Sequence, residues 1–239
     1  MNFIKDLVSV ILPSYNRYDH LVHAIKSCLS QTYPHVEVIV IDDASTDPRY
    51  IDGSLEKFPR TTIVRLPVNQ RKKHNTLAAQ GMTRQEGIEL ARGEWIAFLD
   101  DDDWFLSTKL EKQLAALKSH SLHFCSTNMF RVHHLTPPTP TQIHYREDGP
   151  YFYPGSLPLH FSKELIQGRN YINNSSVLLH RSVIDKTGPF EPIPYEDWEY
   201  WKRAMKTTNE LVLYLEEPLV YYTTSTDYDR QKDYIYVTE

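Results

Sequence analysis

The sequence predicts an α/β chain built on a mainly parallel sheet flanked by helices, and three observations carry that prediction. Apolar runs rich in β-branched residues recur at 7–12, 36–41 and 61–66, and again at Trp95-Ile96-Ala97-Phe98-Leu99. Helical patterns lie between them, and strands alternating with helices at this spacing imply right-handed βαβ crossovers. The runs at 7–12, 36–41 and 95–99 end in polar or acidic groups: Ser14-Tyr15-Asn16-Arg17, Asp42-Asp43 and Asp100-Asp101-Asp102-Asp103. Ligands of open α/β sheets bind beyond the carboxyl ends of the strands, so these loops are expected to share one crevice.

Taken in order, residues 7–12 read as a strand, stopped by Pro13 and followed by a helix over 20–30. A second strand over 36–41 leads to a weak helix at 50–57, a strand at 61–66, a loop at 69–75 and a helix at 83–91 before the 95–99 strand. Past the aspartates, Leu110, Leu114 and Leu117 share one face of an amphipathic helix over 107–118, with Ser107 as its cap, and 122–132 reads as a strand. The stretch Thr136-Pro137-Pro138-Thr139-Pro140-Thr141 cannot be regular structure, because consecutive prolines remove donors and force extended backbone. It reads as a flexible boundary. Beyond it come Tyr151-Phe152-Tyr153-Pro154-Gly155, a helix near 159–167, a strand-like 174–179, a helix at 197–206 and β-rich residues at 211–222. The expected organisation is one domain over 1–225, with an N-terminal half of about 1–132, a second half of about 142–225 and a tail at 226–239.

A chain of 239 residues can bury a full core, and its net charge of −5 argues against a nucleic-acid partner. No apolar segment approaches the ~20 residues that cross a bilayer, and the N-terminus lacks the order of a signal peptide. A soluble, cytoplasmic protein is expected; peripheral membrane contact and oligomeric state stay open. Cys28 and Cys125 sit among apolar neighbours, which suits buried reduced thiols. With Gly at only 8 positions, and neither GxGxxG nor GxxxxGK[ST] present, a glycine-rich phosphate loop is excluded.

Four adjacent carboxylates are unfavourable by themselves: like charges about 4 Å apart repel by roughly 1 kcal/mol even in bulk water. A hard divalent cation removes the objection. Mg²⁺ or Mn²⁺ is usually held by one or two carboxylates, with substrate phosphates filling further positions. The competing reading is an acidic turn favoured by the N-terminus of the next helix. Asp100 and Asp102 lie two apart and point the same way on extended backbone, Asp101 oppositely, although the alternation lapses once the strand ends. Glu196 and Asp197 head a segment whose Trp198, Trp201 and Met205 recur at helical spacing, which makes those side chains core rather than a sugar platform. The two acids read either as a general base and its neighbour or as helix-start acids. The run Arg71-Lys72-Lys73-His74 reads as a solvated face.

Together these motifs resemble the family 2 glycosyltransferases of GT-A fold, over roughly residues 7–223. The run from Ser9 through Pro13 to Arg17 is similar to the family's opening strand and nucleotide loop. The segment from Val40 to Asp47 resembles its second signature, the segment from Arg84 to Glu94 the stretch before the metal motif, Phe98 to Trp104 the DxD region, and Tyr195-Glu196-Asp197-Trp198 the acidic pair of inverting members. Gln85 departs from the usual Asn. The resemblance implies a nucleotide-diphospho-sugar transferase architecture, Rossmann-like, with a smaller mixed C-terminal acceptor region. It also implies Mn²⁺- or Mg²⁺-dependent transfer from a nucleotide-sugar donor, with a UDP-sugar expected, to a hydroxyl of a glycan, lipid-linked or other acceptor in polysaccharide biosynthesis, with inversion. On this reading Pro13, Tyr15, Arg17, Asp42, Asp43, Arg84, Asp100 and Asp101 serve the donor. Tyr15 stacks on the base, Asp43 accepts from its N–H, Asp42 fixes the loop or touches ribose, and Arg84 pairs with the diphosphate. Asp102 is the direct metal ligand, with Asp100 beside it, and Asp103 is a helix cap. Asp197 is the base, with Glu196 as the alternative. The rival readings are a sugar-phosphate nucleotidyltransferase and a non-catalytic nucleotide- or glycan-binding member.

Overall fold

The computed structural model of the chain describes residues 3–135, 144–150, 159–162 and 165–224. The proline-rich stretch at 136–141, the aromatic run at 151–155 and the tail at 226–239 lie outside them. The strands are β1 (Ile4–Ser14), β2 (Val36–Asp42), β3 (Thr61–Arg65), β4 (Gly93–Phe98), β5 (Trp104–Phe105), β6 (Phe124–Leu135), β7 (His144–Pro150), β8 (His160–Phe161), β9 (Leu178–His180) and β10 (Val212–Thr224). The helices are α1 (Tyr18–Leu29), α2 (Gln70–His74), α3 (Gln80–Leu90), α4 (Lys109–His120), α5 (Arg181–Thr187) and α6 (Glu196–Thr208).

One sheet runs in the order β3-β2-β1-β4-β9-β6-β10-β5, with β7 on β6 and β8 on β10. The pairs β2–β3, β1–β2, β1–β4 and β6–β10 are parallel. Between β4 and β6 sits β9, antiparallel to both. The strands are buried on two faces, which explains their near-continuous apolar runs. Val8, Val10 and Leu12 of β1 face a core that includes Leu21 and Ile25 of α1 and Leu110, Leu114 and Leu117 of α4. Ile11, Ile96 and Phe98 face the other core, with Ile88 of α3, Val183 of α5 and Trp201 of α6. The helix α3 presses so closely on β1 that a Cβ at Gly87 would lie 2.4 Å from Ile11 Cγ2.

Several sequence expectations need correcting. No helix spans 50–57: a single 3-10 turn at Pro48–Tyr50 gives way to turns in which Gly53 has φ +81° and the Asp52 carboxylate accepts from Ser54 N–H. The expected loop at 69–75 contains the one-turn α2, started by Asn69, whose side chain accepts from Arg71 N–H, and ended by Asn75 at φ 50°. Ser107 does not cap α4; Thr108 holds that position, and Ser107 C=O accepts from Thr32 N–H at 2.8 Å instead. In place of a helix near 159–167 there are the short β8 and a 3-10 turn at Leu165–Gln167, because β8 is drawn into pairing with β10. The segment at 174–179 splits into a 3-10 turn at Asn174–Ser176 and β9. Cys28 and Cys125 are buried and free. Among the described residues, no helix is long and apolar enough to cross a membrane.

Candidate active site

The carboxyl ends of β1, β2 and β4 open on a cavity of about 500 Å³. Because β9 runs antiparallel to β4, its N-terminal end points the same way and brings Asn173 and Asn174 to the wall. The start of α6 closes the far side. Of the residues predicted from sequence, the cavity gathers Pro13, Tyr15, Arg17, Asp43, Arg84, Asp100, Asp101, Asp102, Glu196 and Asp197. Asp42 is not in the wall. It is fully buried, accepts from Ser45 N–H at 2.8 Å and lies 3.3 Å from Arg65 Nη1, so of its two expected roles it performs loop fixation.

On the β2 side, Asp43 accepts from Asn69 Nδ2 at 2.9 Å and from Gln70 N–H at 2.8 Å. Burial pushes its carboxyl up to about 6, with the Gln70 hydrogen bond opposing the rise. Tyr15, 38% exposed, stands at the same end of the cavity wall as the β1 loop. Arg71, expected on a solvated face with Lys72 and Lys73, instead contributes to the wall, while those two lysines are exposed.

The four aspartates divide among a few partners, Arg17 holding two of them and Ser175 bonding to two. Asp101 is buried and accepts from Ser14 Oγ at 2.7 Å and from Arg17 Nη1 at 3.3 Å. Burial raises its pKa, and Arg17 opposes the rise. Asp102 receives Arg17 Nη1 at 2.7 Å. Asp100 receives Arg84 Nη2 at 2.5 Å, and its own N–H donates to Ser175 Oγ at 3.1 Å. Asp103 is not a helix cap: it is buried and accepts from Ser175 Oγ at 2.5 Å and from Thr223 N–H at 2.8 Å. Burial, with the charges of Asp102 and Asp100, raises its pKa well above the usual range. Asp103 thus pins the turn to the β9 and β10 ends and leaves Asp100 and Asp102 facing the cavity, their side chains 30% and 24% exposed. Among the described residues, no group of three or more His, Cys, Asp or Glu is arranged to hold a metal. The two partly exposed carboxylates that face the cavity, Asp100 and Asp102, are the kind of donor set that suits a hard cation completing its shell with water and phosphate.

Arg84 joins the two sides of the crevice. Its side chain is 4% exposed and reaches Asp100 with one nitrogen and Glu196 Oε1, at 3.1 Å, with another. Burial works to lower its pKa, but Asp100 and Glu196 outweigh it and hold the guanidinium more firmly charged than usual. Glu196 is fitted against α3 where Gly81 leaves room: a Cβ there would lie 2.8 Å from Glu196 Cγ and 2.8 Å from Phe190 Cδ1. The neighbouring Asp197 turns elsewhere. Its Oδ1 accepts from Trp198 N–H at 2.7 Å, and its Oδ2 lies 3.4 Å from Asn170 Nδ2 and 3.5 Å from Asn174 Nδ2. Burial and then the Glu196 charge push the Asp197 carboxyl up to about 6, against the pull of Arg84. Trp201 and Met205 are buried in the core, as expected from their spacing.

Ahead of the pair, Tyr195 is the N-cap of α6 at φ 57°, ψ 40°, with no side-chain cap hydrogen bond. A bulky residue in left-handed conformation costs of order 1–3 kcal/mol and collects at functional sites. Sequence reasoning places Tyr195 only as the residue before the acidic pair and assigns no role to Asn69, Asn173, Asn174, Ser175 or Thr223. A signal existed for three of them: Asn173-Asn174-Ser175-Ser176 is a polar run abutting an apolar strand, the mirror of the acid-ended strands, and only the antiparallel direction of β9 hides it.

The family profile described as Glycosyl transferase family 2 matches residues 9–177. An uncharacterized glycosyltransferase of Haemophilus influenzae is 31% identical over 217 residues, covering 87% of this chain and 75% of that one. The UDP-Glc:alpha-D-GlcNAc-diphosphoundecaprenol beta-1,3-glucosyltransferase WfaP of Escherichia coli is 31% identical over 125 residues, covering 52% of this chain and 47% of WfaP. Among solved structures, S. aureus TarS 1-349 in complex with UDP-GlcNAc superposes with a TM-score of 0.66 at 19% identity, covering 91% of this chain and 58% of that one. The chain thus spans about half the length of WfaP and under two thirds of that TarS chain. With TarS it shares the fold, a mixed α/β architecture with a mostly parallel sheet of GT-A type.

Proposed function

We propose, on the premise that this chain belongs to glycosyl transferase family 2 and is a glycosyltransferase, that it moves a sugar from a UDP-sugar to a hydroxyl of a glycan or lipid-linked acceptor with inversion. Family membership sets aside the nucleotidyltransferase reading, and the named glycosyltransferase relatives favour an enzyme over a binding-only member. The observation that carries the proposal is the crevice itself. Asp43 stands at one end, the Asp100-Asp101-Asp102 turn in the middle, and Asp197 at the other, with its carboxyl near 6. The name of WfaP, with its UDP-Glc donor and diphosphoundecaprenol-linked acceptor, and the UDP-GlcNAc complex of TarS support a UDP-sugar and a lipid-linked acceptor. Action in the cytoplasm, at a membrane surface that presents such an acceptor, belongs to the same reading.

In this scheme Tyr15 lies against the base, and Asp43, fixed by Asn69 and Gln70, accepts from it. Asp102, with Asp100 beside it, holds Mn²⁺ or Mg²⁺. That ion, when bound, supplies Lewis-acid stabilisation of the departing diphosphate. Arg17, poised on Asp101 and Asp102, is within the same wall and suits a phosphate oxygen by its guanidinium fork. Asp197 takes the proton of the acceptor hydroxyl as that oxygen attacks the anomeric carbon, and the C–O bond to the diphosphate breaks on the opposite face. A carboxyl near 6 is largely ionised at neutral pH yet more basic than an ordinary aspartate, which suits a general base. Glu196, held by Arg84, is the positioned neighbour and not the base.

The test is turnover of a panel of UDP-sugars with Mn²⁺ or Mg²⁺ and glycoside acceptors, followed by UDP release and the anomeric proton signal of the product. An α-linked donor is expected to give a β-linked product. An α-linked product overturns the single-displacement scheme.

A further inference from the structure

The proposed function leaves open what the acceptor is made of, and the lip of the crevice bears on it. Tyr195 is 72% exposed, more than any other large hydrophobic side chain exposed among the described residues. It lines the cavity directly before the proposed base. Nothing in folding accounts for it there. A helix start is served by Ser, Thr, Asp or Asn with extended backbone, whose side chain satisfies an orphan N–H. Tyr195 supplies no such bond and holds a left-handed backbone that a large side chain disfavours. Among the described residues its one aromatic ring neighbour is Trp198, at 6.3 Å and 82°. Trp198 is itself fixed, its Nε1–H donating to Ile166 C=O at 2.6 Å and Lys202 Nζ lying 4.9 Å from its ring centre. Tyr195 is therefore braced from one side and left open on the others.

The groups around it define a chemistry. The same cavity wall carries the amides of Asn173 and Asn174, which donate and accept, and the Asp197 carboxylate, which accepts. The cations of the wall, Arg17, Arg71 and Arg84, come from the β1–α1 loop, α2 and α3, and none is on the segment carrying Tyr195. An aromatic face on a wall of amides and a carboxylate, where the nearest cations are already engaged, Arg84 by Asp100 and Glu196 and Lys202 by Glu199, matches a pyranose ring: an apolar C–H face with a rim of hydroxyls. It does not match an alditol phosphate, whose charge calls for Lys or Arg. We propose that Tyr195 is the stacking platform of an acceptor subsite, taking the C–H face of a hexopyranoside so that one of its hydroxyls turns to Asp197. This rests on the reading of Asp197 as the acceptor-side base.

The test uses saturation-transfer NMR with methyl β-glucopyranoside, methyl 2-acetamido-2-deoxy-β-glucopyranoside and, as the phosphate-bearing rival, sorbitol 6-phosphate, each with UDP and Mg²⁺ present. UDP affinity and thermal stability are measured on the same samples. Tyr195→Gly removes the ring and suits the backbone, so it should keep or raise the melting temperature and leave UDP affinity within twofold while methyl-glycoside affinity falls about tenfold or more. Tyr195→Trp and Tyr195→Phe should keep glycoside binding. Equal glycoside binding by the parent and Tyr195→Gly overturns the proposal, as does a parent protein that binds sorbitol 6-phosphate and neither glycoside, or none of the three. Loss of UDP binding by the parent would instead tell against the donor reading, which this experiment registers separately.

Discussion

Arg84 Nη1 lies 3.1 Å from Glu196 Oε1 although 112 positions separate the two residues, and the same guanidinium holds Asp100 of the acidic turn. The acidic turn after β4 and the start of α6 are thus tied through one buried cation. Removing one partner of such an assembly leaves uncompensated charge, which costs more than the assembly contributes over an apolar substitute.

Arg84→Met is accordingly expected to destabilise the protein by roughly 3 kcal/mol, at the low end for a buried pair because Asp100 is partly exposed. The double variant Arg84→Met/Glu196→Gln should recover part of that loss. Urea denaturation of the parent, both single variants and the double variant measures the coupling. Gly81→Ala probes the same assembly from α3 and should cost about 1–3 kcal/mol, because the new methyl group meets Glu196 and Phe190.

Asp197→Asn should lower turnover by ~10²–10⁴-fold while UDP affinity stays unchanged. Stability should move the other way. With its carboxyl raised from about 3.8 to about 6, folded Asp197 keeps a proton that the unfolded chain has lost, so its contribution falls as pH rises through that window and the full penalty stands above it. At pH 7.5 the amide removes a cost on the order of 2–3 kcal/mol and still accepts from Trp198 N–H. A higher melting temperature with lost turnover is the expected pair of results. The parent's kcat/KM should fall below an acid limb near 6, and a limb near the ordinary carboxylate range would count against Asp197 as the base.

How much of this was legible beforehand differs by kind of residue. Strands ending in acid announce themselves locally, since an apolar run and a carboxylate two residues on need no partner to be seen. Asp43, Asp100 and Asp102 could therefore be nominated from sequence, and Asp197 from its place at the head of a helical pattern. Their holders could not. Ser175 and Thr223 reach Asp103 from 72 and 120 residues away, and no local pattern carries that information. The helix α2 was invisible because five residues, four of them Arg-Lys-Lys-His, offer no apolar periodicity; its caps, Asn69 and Asn75, were the readable signal.

Asp102→Ala should abolish tight Mn²⁺ association, read by the paramagnetic resonance signal of the free ion in the presence of UDP. Asp103→Asn should retain it, because Asp103 faces Ser175 and Thr223 rather than the cavity. Unchanged Mn²⁺ association in Asp102→Ala would remove that residue from the metal.

Asp43→Ala should weaken UDP more than GDP and so narrow the preference between them, as competition against a fluorescent nucleotide would measure. Its neighbours give a second readout. Gln70 N–H loses its acceptor and Asn69 Nδ2 keeps only the Asp43 C=O, so α2 should fray and its amides should exchange hydrogen faster.

The position of β9 between β4 and β6 has a bearing on how such chains diversify. Leu178 and Leu179 must fit against Ala97 and Ile96 on one side and Cys125 and Phe124 on the other. A ribosome releases β4 and β6 long before it releases this wedge, and until then both carry open edges of the kind that invite mispairing. Grafting the C-terminal segment of one relative onto the N-terminal segment of another at the proline-rich stretch would therefore transplant a strand into a slot shaped for a different one. On the reading proposed for Tyr195, point changes at the lip are expected to alter acceptor preference far more readily than the exchange of whole segments.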